Sequence, residues 1–183
     1  MFRRVAPTHA KDQLKKRHFL HHLLAERDKF ERLLNQLGFA RMTTMAGVAG
    51  LWSVKDIIAH IMSYEQYTAD RMAEIMHGET YAPAQTQAAL DAFLQKFGYP
   101  DFGSALLNGD SSNAWIVQKY RHIPLEEIVA HEIQAFSAIV AGIETLSESQ
   151  LDQHHLFERV THNTYEHYRE HSRDIERWLA SVA

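Results

Sequence analysis

Four long stretches of this chain repeat their apolar residues every three or four positions, and that repeat limits the fold more than any other feature of the sequence. The first is expected over about residues 11–37, with Leu20, Leu23, Leu24, Phe30 and Leu34 on one face and Gly38 as its stop. The second begins after Ser53, a natural N-cap with Asp56 three residues on. It carries Val54, Ile57, Ile58, Ile61, Met62, Met72, Ile75 and Met76 and ends near His77 and Gly78. The third enters through Pro124 and holds Leu125, Ile128, Val129, Phe136, Ile139, Val140 and Ile143 on one side, to about Leu146. The last, about residues 161–180, aligns Tyr165, Tyr168, Ile175, Trp178 and Leu179. Helices with one apolar face each must bury those faces together. The expected class is therefore all-α: an antiparallel four-helix bundle with short extra helices in the connections.

The connections are read as a loop over 39–52, a short helix near 85–97, another over 113–120 and a turn around 148–152, with no run that alternates as a strand does. One domain over residues 11–183, preceded by an N-terminal tail over 1–10, accounts for the 183 residues. A net charge of −4 and the lack of a basic, aromatic groove argue against nucleic acid as a partner. No run of about 18 apolar residues spans a membrane, and Met1–Pro7 has no apolar stretch of the secretory kind. There is no cysteine, so disulfide scaffolds, cysteine zinc sites and thiol nucleophiles are excluded, and a cytoplasmic location is expected.

Against that absence stand 13 histidines. Most fall at helix ends, in loops or away from the apolar stripes, as His18, His22 and His131 do. Glu74 and His77 have the Glu-x-x-His spacing of bundle carboxylate sites but are expected to project outward. The last helix differs. His167 and His171 are one turn apart, and His171 lies inside the apolar stripe, so two imidazoles can converge on one ion. His60, on the flank of the second stripe, could complete a three-histidine set with open positions, suited to zinc, nickel or iron(II). Half-buried histidines bonded to backbone or water are the competing account.

Two glutamates lie near the centres of apolar stripes, Glu65 on the second and Glu132 on the third. A buried carboxylate is costly unless paired, protonated or metal-bound. Each could orient a ligand or act as a base, or simply bond to Arg27, which also falls in an apolar sector, or to a tyrosine. Tyr64 and Tyr168 are candidate hydrogen-bond donors to a substrate.

The stretch Leu51-Trp52-Ser53-Val54-Lys55-Asp56-Ile57-Ile58-Ala59-His60 resembles the start of the second helix in the DinB-like superfamily of four-helix bundles. Asn163-Thr164-Tyr165-Glu166-His167-Tyr168-Arg169-Glu170-His171 and Asp174 to Leu179 resemble the last helix of its ClbS/DfsB-like branch, as Asn113–Tyr120 and Pro124–Glu127 resemble its middle. The resemblance implies a bundle, often a homodimer, in which His60, His167 and His171 bind a divalent metal ion. It also implies a metal-dependent hydrolase or thiol-type transferase acting on a small electrophilic substrate, in detoxification or stress response. Residues 79–112 are longer than the family's usual connection and 151–162 shorter, so the identity of the substrate does not carry over. A metal-independent sequestering protein and a non-enzymatic dimeric module remain alternatives.

Overall fold

The computed structural model describes residues 8–44 and 46–182. Most of the expected tail, residues 1–7, lies outside the described residues; α1 (Thr8–Leu37) takes up its last three positions. There follow α2 (Phe39–Thr44), β1 (Ala46–Ala49), β2 (Trp52–Ser53), α3 (Val54–Met76), α4 (Gln87–Phe97), α5 (Gly109–Tyr120), α6 (Leu125–Thr145), α7 (Glu148–Gln153), α8 (Leu156–Thr161), a π-helical turn (His162–Glu166) and α9 (His167–Val182). Helix accounts for 78% of the structure, which is all-α.

The central element is α3. Ser53 and Asp56 close a reciprocal capping box at its start: Ser53 Oγ accepts from the Asp56 amide at 3.2 Å, and Asp56 Oδ2 accepts from the Ser53 amide at 2.8 Å. Its end is a Schellman turn on Gly78 (φ +75°), with Glu79 N donating to Glu74 O at 2.9 Å and Gly78 N to Ile75 O at 3.0 Å. Between these caps α3 is buried on nearly every side, and its main partner is α6. The two approach closely at Gly142, where an added Cβ would come 2.7 Å from Met72 Cε. Ile57, Ile61, Met72, Ile128, Ile139 and Ile143 form the shared core, and Ile175 and Trp178 of α9 close it. Among the described residues no helix is long and apolar enough to cross a membrane.

Three local expectations need correction. The stretch read as a loop over 39–52 contains α2 and a two-stranded hairpin, paired as Ala46 with Ser53 and Ala49 with Trp52. The strands are too short to show alternation, and Gly47 and Gly50 supply the positive φ of the turn (+100° and +63°). Helix α5 starts four residues before Asn113 because Asn108 caps it, accepting from Ser111 N at 2.7 Å. The last helix starts at Leu156 rather than near Thr161.

That last helix is continuous through its π-helical turn, and the reason lies in its burial pattern. Leu156, Val160, Thr164 and Tyr168 are all buried at successive steps of four. In a straight α-helix each such step overshoots a full turn by ~40°, ~120° over three. One extra residue in a π turn takes back ~100°. The buried side chains on both sides of the turn therefore face the same core, and α9 presents His167 and His171 toward α3.

Candidate functional site

His60, in the second turn of α3, meets both histidines of α9. Its ring centroid lies 5.0 Å from that of His167 and 5.2 Å from that of His171, and the latter two are 5.9 Å apart. An imidazole bound at about 2.0–2.1 Å keeps its centroid ~3.2 Å from the ion. Two such rings lie ~4.5 Å apart at a right angle and ~5.2 Å apart at the tetrahedral angle. Two of the three observed separations fit and the third is wider. The nitrogens do not share one focus as they stand: among the described residues no group of three or more His, Cys, Asp or Glu is arranged to hold a metal ion.

The donor chemistry does suit an ion. Burial, reinforced by His167 and His171, pushes the His60 pKa down to about 3. Burial and the neighbouring His171 and His162 push His167 down to about 4. Both are thus neutral at pH 7, the form that ligates metal. Nδ1 of His60 and Nδ1 of His167 are buried with no hydrogen-bond partner, an uncommon state for buried polar atoms. His171 Nδ1 lies 3.3 Å from Asp174 Oδ2, and Arg177 Nη2 donates to the other oxygen of Asp174 at 2.6 Å. A carboxylate behind an imidazole in this way sets the ring's orientation. Aromatic rings wall the cluster: Trp52 of the hairpin is 5.3 Å from His60, Tyr64 is 5.0 Å from His60 and 5.3 Å from His167, and Phe102 stacks on Tyr64 at 4.8 Å. Burial raises the pKa of Tyr64, so its hydroxyl stays protonated.

Glu65, Glu132 and Tyr168 do not join the histidines. Glu65 lies five residues beyond His60, ~140° further around α3, where it meets Arg27. Both terminal nitrogens of Arg27 donate to Glu132, to Oε2 at 2.5 Å and to Oε1 still closer. Its Nη1 reaches Tyr168 Oη at 3.1 Å and its Nε reaches Glu31 at 2.6 Å. Tyr168 in turn donates to Glu65 Oε1. Burial, and then the neighbouring Glu132 charge, raise the Glu65 pKa well above the usual carboxylate range. The guanidinium also lies over the Phe136 ring at 4.5 Å. Beside this cluster is a 290 Å³ cavity whose lining includes Arg27, Glu132, Phe30, Leu34, Ile58 and Val129.

The fold is similar to that of an uncharacterised protein from Escherichia coli UTI89, with a TM-score of 0.69 over 91% of this chain and 94% of that one. At 15% identity the likeness concerns the fold alone. No family model matches the chain, and no curated protein matches it.

Sequence reasoning missed Trp52, Phe102 and the π-helical turn as parts of the site. Phe102 sits in an irregular connection, where no period marks it. The turn did leave a signal, the three steps of four from Leu156 to Tyr168.

Proposed function

We propose that His60, His167 and His171 form a three-imidazole centre for one divalent ion, zinc or nickel ahead of iron(II). On this reading the chain is a metal-dependent hydrolase or thiol-type transferase of the DinB-like, ClbS/DfsB-like kind, an antiparallel four-helix bundle that works as a homodimer on a small electrophilic substrate. The observation that supports it best is the gathering of three rings, His60 and His171 buried and His167 half-buried, beside Nδ1 atoms that have no hydrogen-bond partner.

A bound ion supplies Lewis acidity, lowering the pKa of a water or thiol brought to it. The chain's own residues do the rest. Asp174 holds the His171 ring, Trp52 and Phe102 keep bulk water from the imidazoles, and the protonated Tyr64 hydroxyl can donate to a substrate oxygen. Trp52 also lines a surface cleft of about 720 Å³ with Lys55, Asp56, Ala114 and Arg121. With no cysteine in the chain, any thiol must come from outside.

Metal analysis of protein purified without a histidine tag tests the reading. About one ion per chain is expected, falling at least tenfold in His60→Ala and His171→Ala. Wild-type protein without a stoichiometric ion overturns it. Sedimentation equilibrium tests the homodimer separately.

The 290 Å³ cavity beside Arg27 and Glu132 favours a second reading, sequestration of a small apolar electrophile without metal. Binding that survives a chelator and is abolished by filling the cavity with Val129→Trp would support it over the first.

A further inference from the structure

Away from the imidazoles, α3 buries a second cationic group. Arg71 lies eleven residues beyond His60, ~16 Å along the helix, and is 1% exposed. Its guanidinium is enclosed by ring faces: Phe97 at 4.4 Å, Phe93 at 4.8 Å, Tyr81 at 4.9 Å and Tyr67 at 5.1 Å. Cation–π contacts offset part of the desolvation of a buried charge. They do not satisfy its N–H donors, and Nη1 and Nη2 have no hydrogen-bond partner. Glu74, expected from the sequence to project outward, instead turns inward. Its Oε2 lies 2.9 Å from Arg71 Nε, and Lys96 Nζ lies 3.7 Å from its Oε1, so it occupies only the Nε edge of the fork. The nearby Asp101 carboxylate is committed elsewhere, accepting from Tyr67, Tyr81, Ala84 N and Gly103 N.

Arg71 lines a small cavity of about 70 Å³ together with Tyr81, Ile75, Leu156, His154 and Arg159. The second guanidinium, Arg159, also lies near Tyr81, 5.4 Å from the ring centroid. Arg71, with neither Nη1 nor Nη2 hydrogen-bonded, and Arg159 therefore line the same small space. A guanidinium fork matches the spacing of oxyanion oxygens.

We infer that this cavity is a binding site for one compact tetrahedral oxyanion, of the inorganic phosphate or sulfate kind, held between Arg71 and Arg159. The anion supplies the acceptors that the buried fork lacks and locks α8 and the segment containing Tyr81 onto the end of α3. The site does not depend on the histidine cluster.

Calorimetric titration of the full chain with inorganic phosphate, at ionic strength held constant with chloride, tests this. One phosphate per chain is expected, with a rise in Tm that chloride does not reproduce. Arg159→Gln, a change at a half-buried position, should weaken binding at least tenfold while circular dichroism stays unchanged. Arg71→Lys, which keeps the charge and loses the fork, should do the same if it folds. Phenyl phosphate should not bind, because the ring has no room. Phosphate behaving like chloride, unchanged affinity in Arg159→Gln, or equal binding of phenyl phosphate would each overturn the site. A phosphate bound instead at a metal on the histidines would be insensitive to Arg159→Gln and so would count against it.

Discussion

The histidine cluster and the Arg27 cluster share two helices, with His60 and Glu65 on α3 and His171 and Tyr168 on α9, yet they solve opposite problems. Around Arg27, donors and acceptors meet: the guanidinium clamps Glu132, and Tyr168 links Arg27 to Glu65. Only Glu65 Oε2 is left over, and burial raises the pKa of that carboxyl. Around His60, neutral rings face one another with Asn113 beside His60, and two Nδ1 atoms lack a hydrogen bond. Buried polar networks are stable when complete. A complete network describes a structural core; an incomplete one, gathered at ligand spacing, describes a place for something else. The Arg71 cage belongs with the incomplete kind.

The largest effect that could break this contrast is at Glu132. Glu132→Ala leaves the Arg27 charge buried and should cost about 3–5 kcal/mol, read from urea unfolding. A cost below about 1 kcal/mol would mean that the cluster is not structural. Next comes the π-helical turn. Deleting the exposed Glu166 removes the extra residue and should convert the turn to regular α-helix with His167 and His171 still facing α3. Added nickel should then still raise Tm, and loss of that rise with helical content retained would break this account of the turn.

The two clusters should also respond oppositely to pH. His60 and His167 have folded pKa values of about 3 and about 4, below the ordinary 6.5. The unfolded chain binds their protons more readily, so stability is lost as pH falls from about 6.5 toward 4. Glu65 has a raised folded pKa, so its contribution is present below the ordinary carboxylate range and is lost as pH rises above about 4.5. Urea midpoints measured from pH 4 to 8 should show a shallower acid limb in His60→Gln and a shallower alkaline limb in Glu65→Gln. Parallel curves for wild type and both variants would erase the distinction. The smallest expected effect concerns Gly103, where an added Cβ would lie 2.3 Å from Tyr67 Oη and 2.4 Å from Tyr81 Oη. Gly103→Ala should displace the phenols from Asp101 and cost about 1–3 kcal/mol, with nickel binding unchanged.

Much of the helical skeleton could be read from residues. Ser53 and Asp56, Gly78 and Pro124 mark helix ends by chemistry within a few positions, and α3 and α6 begin and end close to where those residues place them. The apolar stripes marked the faces of α3 and α6 that are buried, and the structure packs those two helices together. The hairpin was illegible because its strands are shorter than a period can register. The site was half legible. His60, His167 and His171 were each chosen from their positions on a helix, and their rings do meet. Glu65 and Glu132 were correctly read as inward, but a stripe does not say which inward neighbour a side chain finds.

What the sequence determined by itself was local: where the long helices lie, where several of them stop, and that Arg27, Glu65 and Glu132 point inward. Caps and periodicity depend only on neighbours within a turn or two along the chain. What only the tertiary structure decided is partnership. Glu65 joins Tyr168, His60 joins the two histidines of α9, and Arg71 is enclosed by rings from a connection with no clear period. Partnership depends on the rotation of each helix about its own axis, and in the last helix that rotation is fixed by one extra residue in a π-helical turn packed against the core.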